Sequence, residues 1–118
     1  MHEYSVVASL VELCLTHLKE QNAQNVENII VSVGERANID KQLLQSAFEV
    51  LQVEYEPLKN TILTIITEEL LLECRDCKAT FRSLDNPTCP QCKSKNTYII
   101  KGRDIKLERL ELETNTHN

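Results

Sequence analysis

The sequence predicts an α+β fold: two helices on a small three-stranded sheet, with a zinc-ribbon-like four-cysteine module inserted before the last strand. Three observations carry this expectation. Apolar residues recur at helical spacing in two segments, from Val7 to Leu18 and from Leu43 to Leu51. Runs rich in β-branched residues, "VENIIVSVGE" and "NTILTIITEE", follow each of them. Two C-x-x-C pairs then interrupt the pattern, and a last apolar-rich segment, "RDIKLERLELE", resumes it.

Between Ser5 and Gln21, the residues Val7, Leu10, Val11, Cys14 and Leu18 form one buried helical stripe. Cys14 on that stripe reads as a small buried hydrophobe, and His17 falls off it as a solvated residue. "NAQN" is expected to break the helix, and the following strand to end at Gly34. Asp40 reads as the N-cap of a second helix, with Leu43, Leu44, Ala47, Phe48 and Leu51 facing inward. Pro57 marks the exit from that helix, and "NTILTIITEE" gives the second strand. Beyond the cysteines, "TYIIKG" is a short strand. In "RDIKLERLELE", Ile105 and Leu107 share one parity and Leu110 and Leu112 the other, which predicts a bulge near Glu108 or Arg109. This strand is expected to return to the main sheet, because two strands alone are a poor platform for two helices.

The apolar runs are too short to span a membrane, and the start lacks the basic and apolar regions of a signal peptide, so a cytoplasmic location is expected. Five cysteines, four of them in two C-x-x-C pairs, fit a reducing compartment and metal ligation better than a disulfide framework. The net charge of −5 argues against general nucleic-acid affinity. Charge is unevenly distributed. Residues 1–73 hold four basic and twelve acidic side chains, whereas residues 74–102 hold six basic and two acidic. Two domains are therefore expected: residues 1–70 plus 103–118, and residues 71–102.

Between Cys74 and Lys95 the sizeable apolar side chains are Phe81 and Leu84, too few to offset the entropy of ordering the segment. "CRDC" and "CPQC" supply Cys74, Cys77, Cys89 and Cys92, with eleven residues between the pairs. Each pair brings two thiolates to one ion, and two pairs close a tetrahedron suited to Zn²⁺. An iron–sulfur cluster or a redox dithiol is the rival reading; neither has the spacing or a thioredoxin-like context in its favour. Four cysteines leave no open position for a catalytic water. Arg75, Lys78, Arg82, Lys93 and Lys95 read as the solvated face of the knuckles, and Phe81 and Tyr98 are the candidate stacking platforms for nucleic acid.

At the other end stands "MHE". Histidine in second place disfavours removal of the initiator methionine, so Met1 is expected to keep its free amine. That amine, the backbone nitrogen of His2 and His2 Nδ1 can close a five- and a six-membered chelate ring, a nitrogen set that favours square-planar Ni²⁺ or Cu²⁺. The plain alternative makes His2 a polar helix-start residue and Glu3 a partner of the helix dipole.

"MHE-S-V" at Met1, His2, Glu3, Ser5 and Val6, "GER" after the first strand, and the late C-x-x-C…C-x-x-C module together resemble the HypA-type nickel-incorporation proteins. The resemblance covers essentially the whole chain. It implies a non-enzymatic metallochaperone that binds Ni²⁺ through Met1 and His2, with Glu3 in or beside the site and Asp40 as a further candidate ligand. It implies a structural or sensing zinc in the four cysteines. It also implies delivery for [NiFe]-hydrogenase maturation, and in some bacteria for urease. The implied partners are a nickel-handling GTPase accessory protein, the hydrogenase large subunit or its maturation complex, and a urease accessory protein, with no nucleic acid and no membrane. Some members carry histidines beside the cysteine pairs; here Lys78, Ala79 and Lys93 stand there, which puts histidine-based exchange of zinc ligands in doubt for this chain. A zinc-ribbon nucleic-acid module and a zinc-stapled interaction adaptor without a nickel site remain the competing functions.

Overall fold

The computed structural model describes residues 3–83 and 85–114; Met1, His2 and Leu84 lie outside these. In chain order the elements are α1 (Glu3–Gln21), β1 (Ala23–Gly34), α2 (Lys41–Gln52), a 3-10 turn (Glu56–Leu58), β2 (Ile62–Glu68), β3 (Leu71–Cys74), β4 (Thr80–Phe81), β5 (Thr97–Lys101) and β6 (Ile105–Thr114). One sheet has the order β2-β1-β6, the other β4-β3-β5. The expected α+β class is found, and the last strand does return to the main sheet.

Two compact units result. The first comprises residues 1–31, 39–66 and 106–118, the second residues 32–38 and 67–105. In the first, α1 buries Val7, Leu10, Val11, Cys14 and Leu18, the stripe that the 3.6-residue period marks out. Against it α2 contributes Leu44, Phe48 and Leu51, while Val26, Ile29 and Val31 are the buried residues of β1 in this unit. Asp40 caps α2 in extended conformation, its carboxylate accepting from the Leu43 amide at 3.1 Å. Leu43 itself is 53% exposed and does not face inward. It stands one residue before Leu44 and so about 100° away around the helix, outside a narrow stripe. Ala47 is half-buried.

The helix-to-strand connection is shorter than "NAQN" suggests. Asn22 alone makes it, in the left-handed conformation at φ 54°, and β1 begins at Ala23. Asparagine tolerates that conformation better than most residues, so one residue suffices to reverse the chain. The exit from α2 is tied by Gln52, whose side-chain amide donates to the carbonyls of Leu58 (2.9 Å) and Thr61 (3.1 Å). Thr61, buried, donates to the Val26 carbonyl at 2.6 Å. Along β6, Glu108 and Arg109 are both exposed, so the in–out alternation changes phase at the position where parity predicts a bulge.

The second sheet belongs to the cysteine module. "TYIIK", expected as a short strand, forms β5. It pairs antiparallel with β3, with Leu72 opposite Ile99 and Cys74 opposite Thr97, and β4 flanks the other edge with Leu72 opposite Phe81. The four-cysteine module thus has its own three strands. The four residues of β3 were not legible as a strand, because their partner lies some 25 residues further along the chain.

Candidate metal centre

Cys74 ends β3, Cys77 and Cys89 follow on turns, and Cys92 closes the second turn. Their four sulfurs lie within 4.8 Å of one another, with Cys74 Sγ 3.5 Å from Cys92 Sγ and Cys77 Sγ 3.6 Å from Cys89 Sγ. A tetrahedron with metal–sulfur bonds of about 2.3 Å has edges of about 3.8 Å, so the observed spacing is that of a cage ready for one ion.

The two halves of the cage repeat one backbone pattern. Cys74 N–H donates to the Ala79 carbonyl and Lys78 N–H to the Cys74 carbonyl, both at 2.9 Å. Cys89 N–H donates to the Ser94 carbonyl (2.8 Å) and Lys93 N–H to the Cys89 carbonyl (2.9 Å). The halves are stitched together by the Arg75 amide on the Asn96 carbonyl at 2.9 Å and by Ser94 Oγ on the Asp76 carboxylate. Amide hydrogens also reach the sulfurs. The Cys92 amide is the chief influence drawing the Cys89 thiol down to about 7, and the Cys77 amide holds Cys74 below the usual thiol range. The Ser94 amide works in the same direction on Cys92, but Cys74 alongside, together with burial, pushes that thiol up to about 12. Four thiolates so close repel one another, and a divalent cation removes that repulsion. All-sulfur tetrahedral donors fit Zn²⁺.

Arg82 is not merely a solvated knuckle residue. Its guanidinium donates to both oxygens of Glu35, at 2.9 and 3.1 Å, and lies 3.4 Å from Glu69. Glu35 also accepts from the Leu70 amide at 2.6 Å. This clamp, joining the "GER" loop to the cysteine module, was invisible in the sequence because its partners lie 35 and 47 residues apart. Nor is Tyr98 a free platform: Arg75 covers one face at 4.2 Å from the ring centre, and its hydroxyl donates to Glu73 at 2.6 Å.

In the first unit, Glu3 is buried at the start of α1, and its Oε2 accepts from the Asp40 amide at 2.9 Å. That bond is the main reason its carboxyl sits below the ordinary carboxylate range. Glu3 and Asp40 are therefore brought together, 37 residues apart in sequence. The contact is carboxylate to backbone, while the Asp40 carboxylate is turned to its own helix as a cap. Met1 and His2, the other sequence-predicted nickel ligands, fall outside the described residues.

With this geometry in view, known proteins show the same plan. The family described as "Hydrogenase/urease nickel incorporation, metallochaperone, hypA" matches residues 1–112. The hydrogenase maturation factor HypA of Helicobacter hepaticus is 45% identical over 115 residues, covering 96% of this chain and 98% of the relative. The hydrogenase/urease maturation factor HypA of Helicobacter pylori strain 26695 is 44% identical, covering 95% and 97%. The solution structure of the Ni metallochaperone HypA from Helicobacter pylori superposes with a TM-score of 0.76 at 43% identity, covering 98% of this chain and all of that one. Whole-length matches of this kind mean that the chain belongs to the HypA family of hydrogenase/urease nickel-incorporation metallochaperones.

Proposed function

We propose that this chain binds Ni²⁺ at its N-terminus and hands it over for maturation of a [NiFe]-hydrogenase, with urease as a second destination. The family consists of non-catalytic metallochaperones for nickel incorporation, and hydrogenase maturation is its general setting. The observation that carries the finer reading is that the family match runs from residue 1, so "MHE" and the four cysteines lie within one matched stretch. The nickel set is the Met1 amine, the His2 backbone nitrogen and His2 Nδ1. These nitrogens suit a square-planar ion and leave the fourth position for exchange with an acceptor.

Glu3 supports the site in two ways. Its carboxylate is held ionised by the Asp40 amide, so it adds negative charge beside a dication. The same bond ties the start of α1 to the start of α2, which steadies the segment that follows the ligands. Asp40 acts as helix cap and as amide donor to Glu3, and these roles account for it without nickel ligation. Cys74, Cys77, Cys89 and Cys92 hold one Zn²⁺ that organises the second sheet and its turns. Handover runs through a nickel-handling GTPase accessory protein to the hydrogenase large subunit or its maturation complex, or to a urease accessory protein. Among the described residues no helix is long and apolar enough to cross a membrane.

Calorimetric and spectroscopic Ni²⁺ titration of protein with its authentic start is the test. The native chain should bind one nickel, and a Gly-Ser extension before Met1 or His2→Ala should each abolish the tight phase while zinc content stays unchanged. An extended protein that binds nickel as tightly, with the same spectrum, would overturn the terminal-amine site, and a native chain that binds no nickel would leave the zinc-stapled adaptor as the better reading.

A further inference from the structure

Four non-glycine residues among those described have clearly positive φ: Asn22 (54°), Asn38 (52°), Lys78 (68°) and Lys93 (66°). The asparagines are ordinary, since a short polar side chain tolerates the left-handed region. Lysine has no such advantage, and at these positions its Cβ is strained where glycine would not be. Both lysines occupy the same place, directly after the second cysteine of a C-x-x-C pair.

The conformation has an evident purpose. A left-handed residue there turns the next amide back onto the sulfur, and the Ala79 and Ser94 N–H groups do reach Cys77 and Cys92. But that purpose asks for a backbone shape, which glycine supplies without strain. It does not ask for a cation. Both lysine side chains are exposed, and neither pairs with a carboxylate among the described residues.

We propose that Lys78 and Lys93 are positioning cations for the tetrathiolate site, one on each turn, holding the metal by offsetting the charge of its cage. A dication with four thiolates carries a net charge of −2, and the two ammonium groups bring the local sum to zero. Their stems start one residue from a ligand, so the charges act at short range although water surrounds them. The proposal rests on the reading of the four cysteines as a zinc site.

The test compares native protein with the Lys78→Gln/Lys93→Gln and Lys78→Arg/Lys93→Arg double variants. Glutamine keeps an extended polar side chain and the backbone strain and removes the charge; arginine keeps all three. Zinc per chain is measured first, and a native protein without zinc sinks the zinc reading and this proposal together. With zinc present, its transfer to a chromogenic chelator is timed at low salt and near 1 M salt. The glutamine pair should release zinc roughly fourfold to ninefold faster at low salt, at roughly twofold to threefold for each lysine, and approach the native rate as salt screens the charge. The arginine pair should stay within about twofold of native. Equal low-salt rates for native and glutamine proteins, with zinc present in both, would overturn the role of the lysines and leave the zinc site standing.

Discussion

Gly34→Ala should be among the most damaging single-methyl additions in this chain. The two glycines of the sequence meet at one crossing: a Cβ on Gly34 would lie 2.2 Å from the Gly102 carbonyl carbon, 2.3 Å from its oxygen and 2.6 Å from the Arg103 nitrogen. All three are backbone atoms, so no side chain can rotate away. Ordinary carbon contacts need about 3.5–4.0 Å, so the segments must part by more than an ångström. The crossing is held by Gly34 N–H on the Asp104 carbonyl (2.9 Å), Arg36 N–H on the Gly102 carbonyl (2.8 Å) and Glu35 N–H on the Glu68 carbonyl (3.0 Å). Gly102 N–H adds a bond to Glu68 Oε1 at 2.8 Å. Losing two of these costs about 2 kcal/mol, and overpacking strain adds about 1–3 kcal/mol, for a total of about 3–5 kcal/mol. Urea unfolding of zinc-loaded protein would measure the loss, and amide exchange would localise it to residues 34–36 and 102–104. A change below about 1 kcal/mol, with protection at those amides intact, would refute the steric argument.

Cys74→Ser should release the metal and abolish amide protection across residues 74–95, because two turns with little core draw their folding free energy from the ion; α1 and the β2-β1-β6 sheet should keep theirs. Native-like protection of that segment in the zinc-free variant would contradict this. Asp40→Ala should destabilise α2 by about 1 kcal/mol through loss of the cap, and Asp40→Ser should recover most of that. If Asp40 is a cap and not a ligand, Asp40→Ser also leaves nickel affinity unchanged in calorimetry. The Glu3 carboxyl titrates below its ordinary value of 4.5, so its contribution to stability is present in full above that pH and is lost as pH falls through the lowered folded value. The urea midpoint of native protein should therefore exceed that of Glu3→Gln at pH 6, with the gap closing on acidification below pH 4.5; a gap independent of pH would show that the bond to Asp40 has no electrostatic component.

Much of the chemistry was fixed by local pattern. The stripe from Val7 to Leu18, the Asp40 cap and the two C-x-x-C pairs are each contained within one turn or one helix, and such features need no knowledge of the rest of the chain. The joining of elements is different, because it depends on which distant groups meet. β3 has four residues and gains its identity from β5, which begins 23 positions after it ends. Leu43 and Leu44 are alike in sequence, yet only Leu44 is buried, since the arc that α2 buries is set by what it packs against. Glu3 could be read from sequence as a dipole partner or a metal neighbour; that it accepts the Asp40 amide was decided when α1 and α2 came together. The same holds for Glu35 with Arg82, and for two glycines whose spacing in sequence gives no hint that they touch. Candidate ligands are marked by side-chain chemistry and short spacing, which sequence carries. Burial, ion pairs and steric tolerance are properties of neighbours far apart in the chain, and those exist only once it has folded.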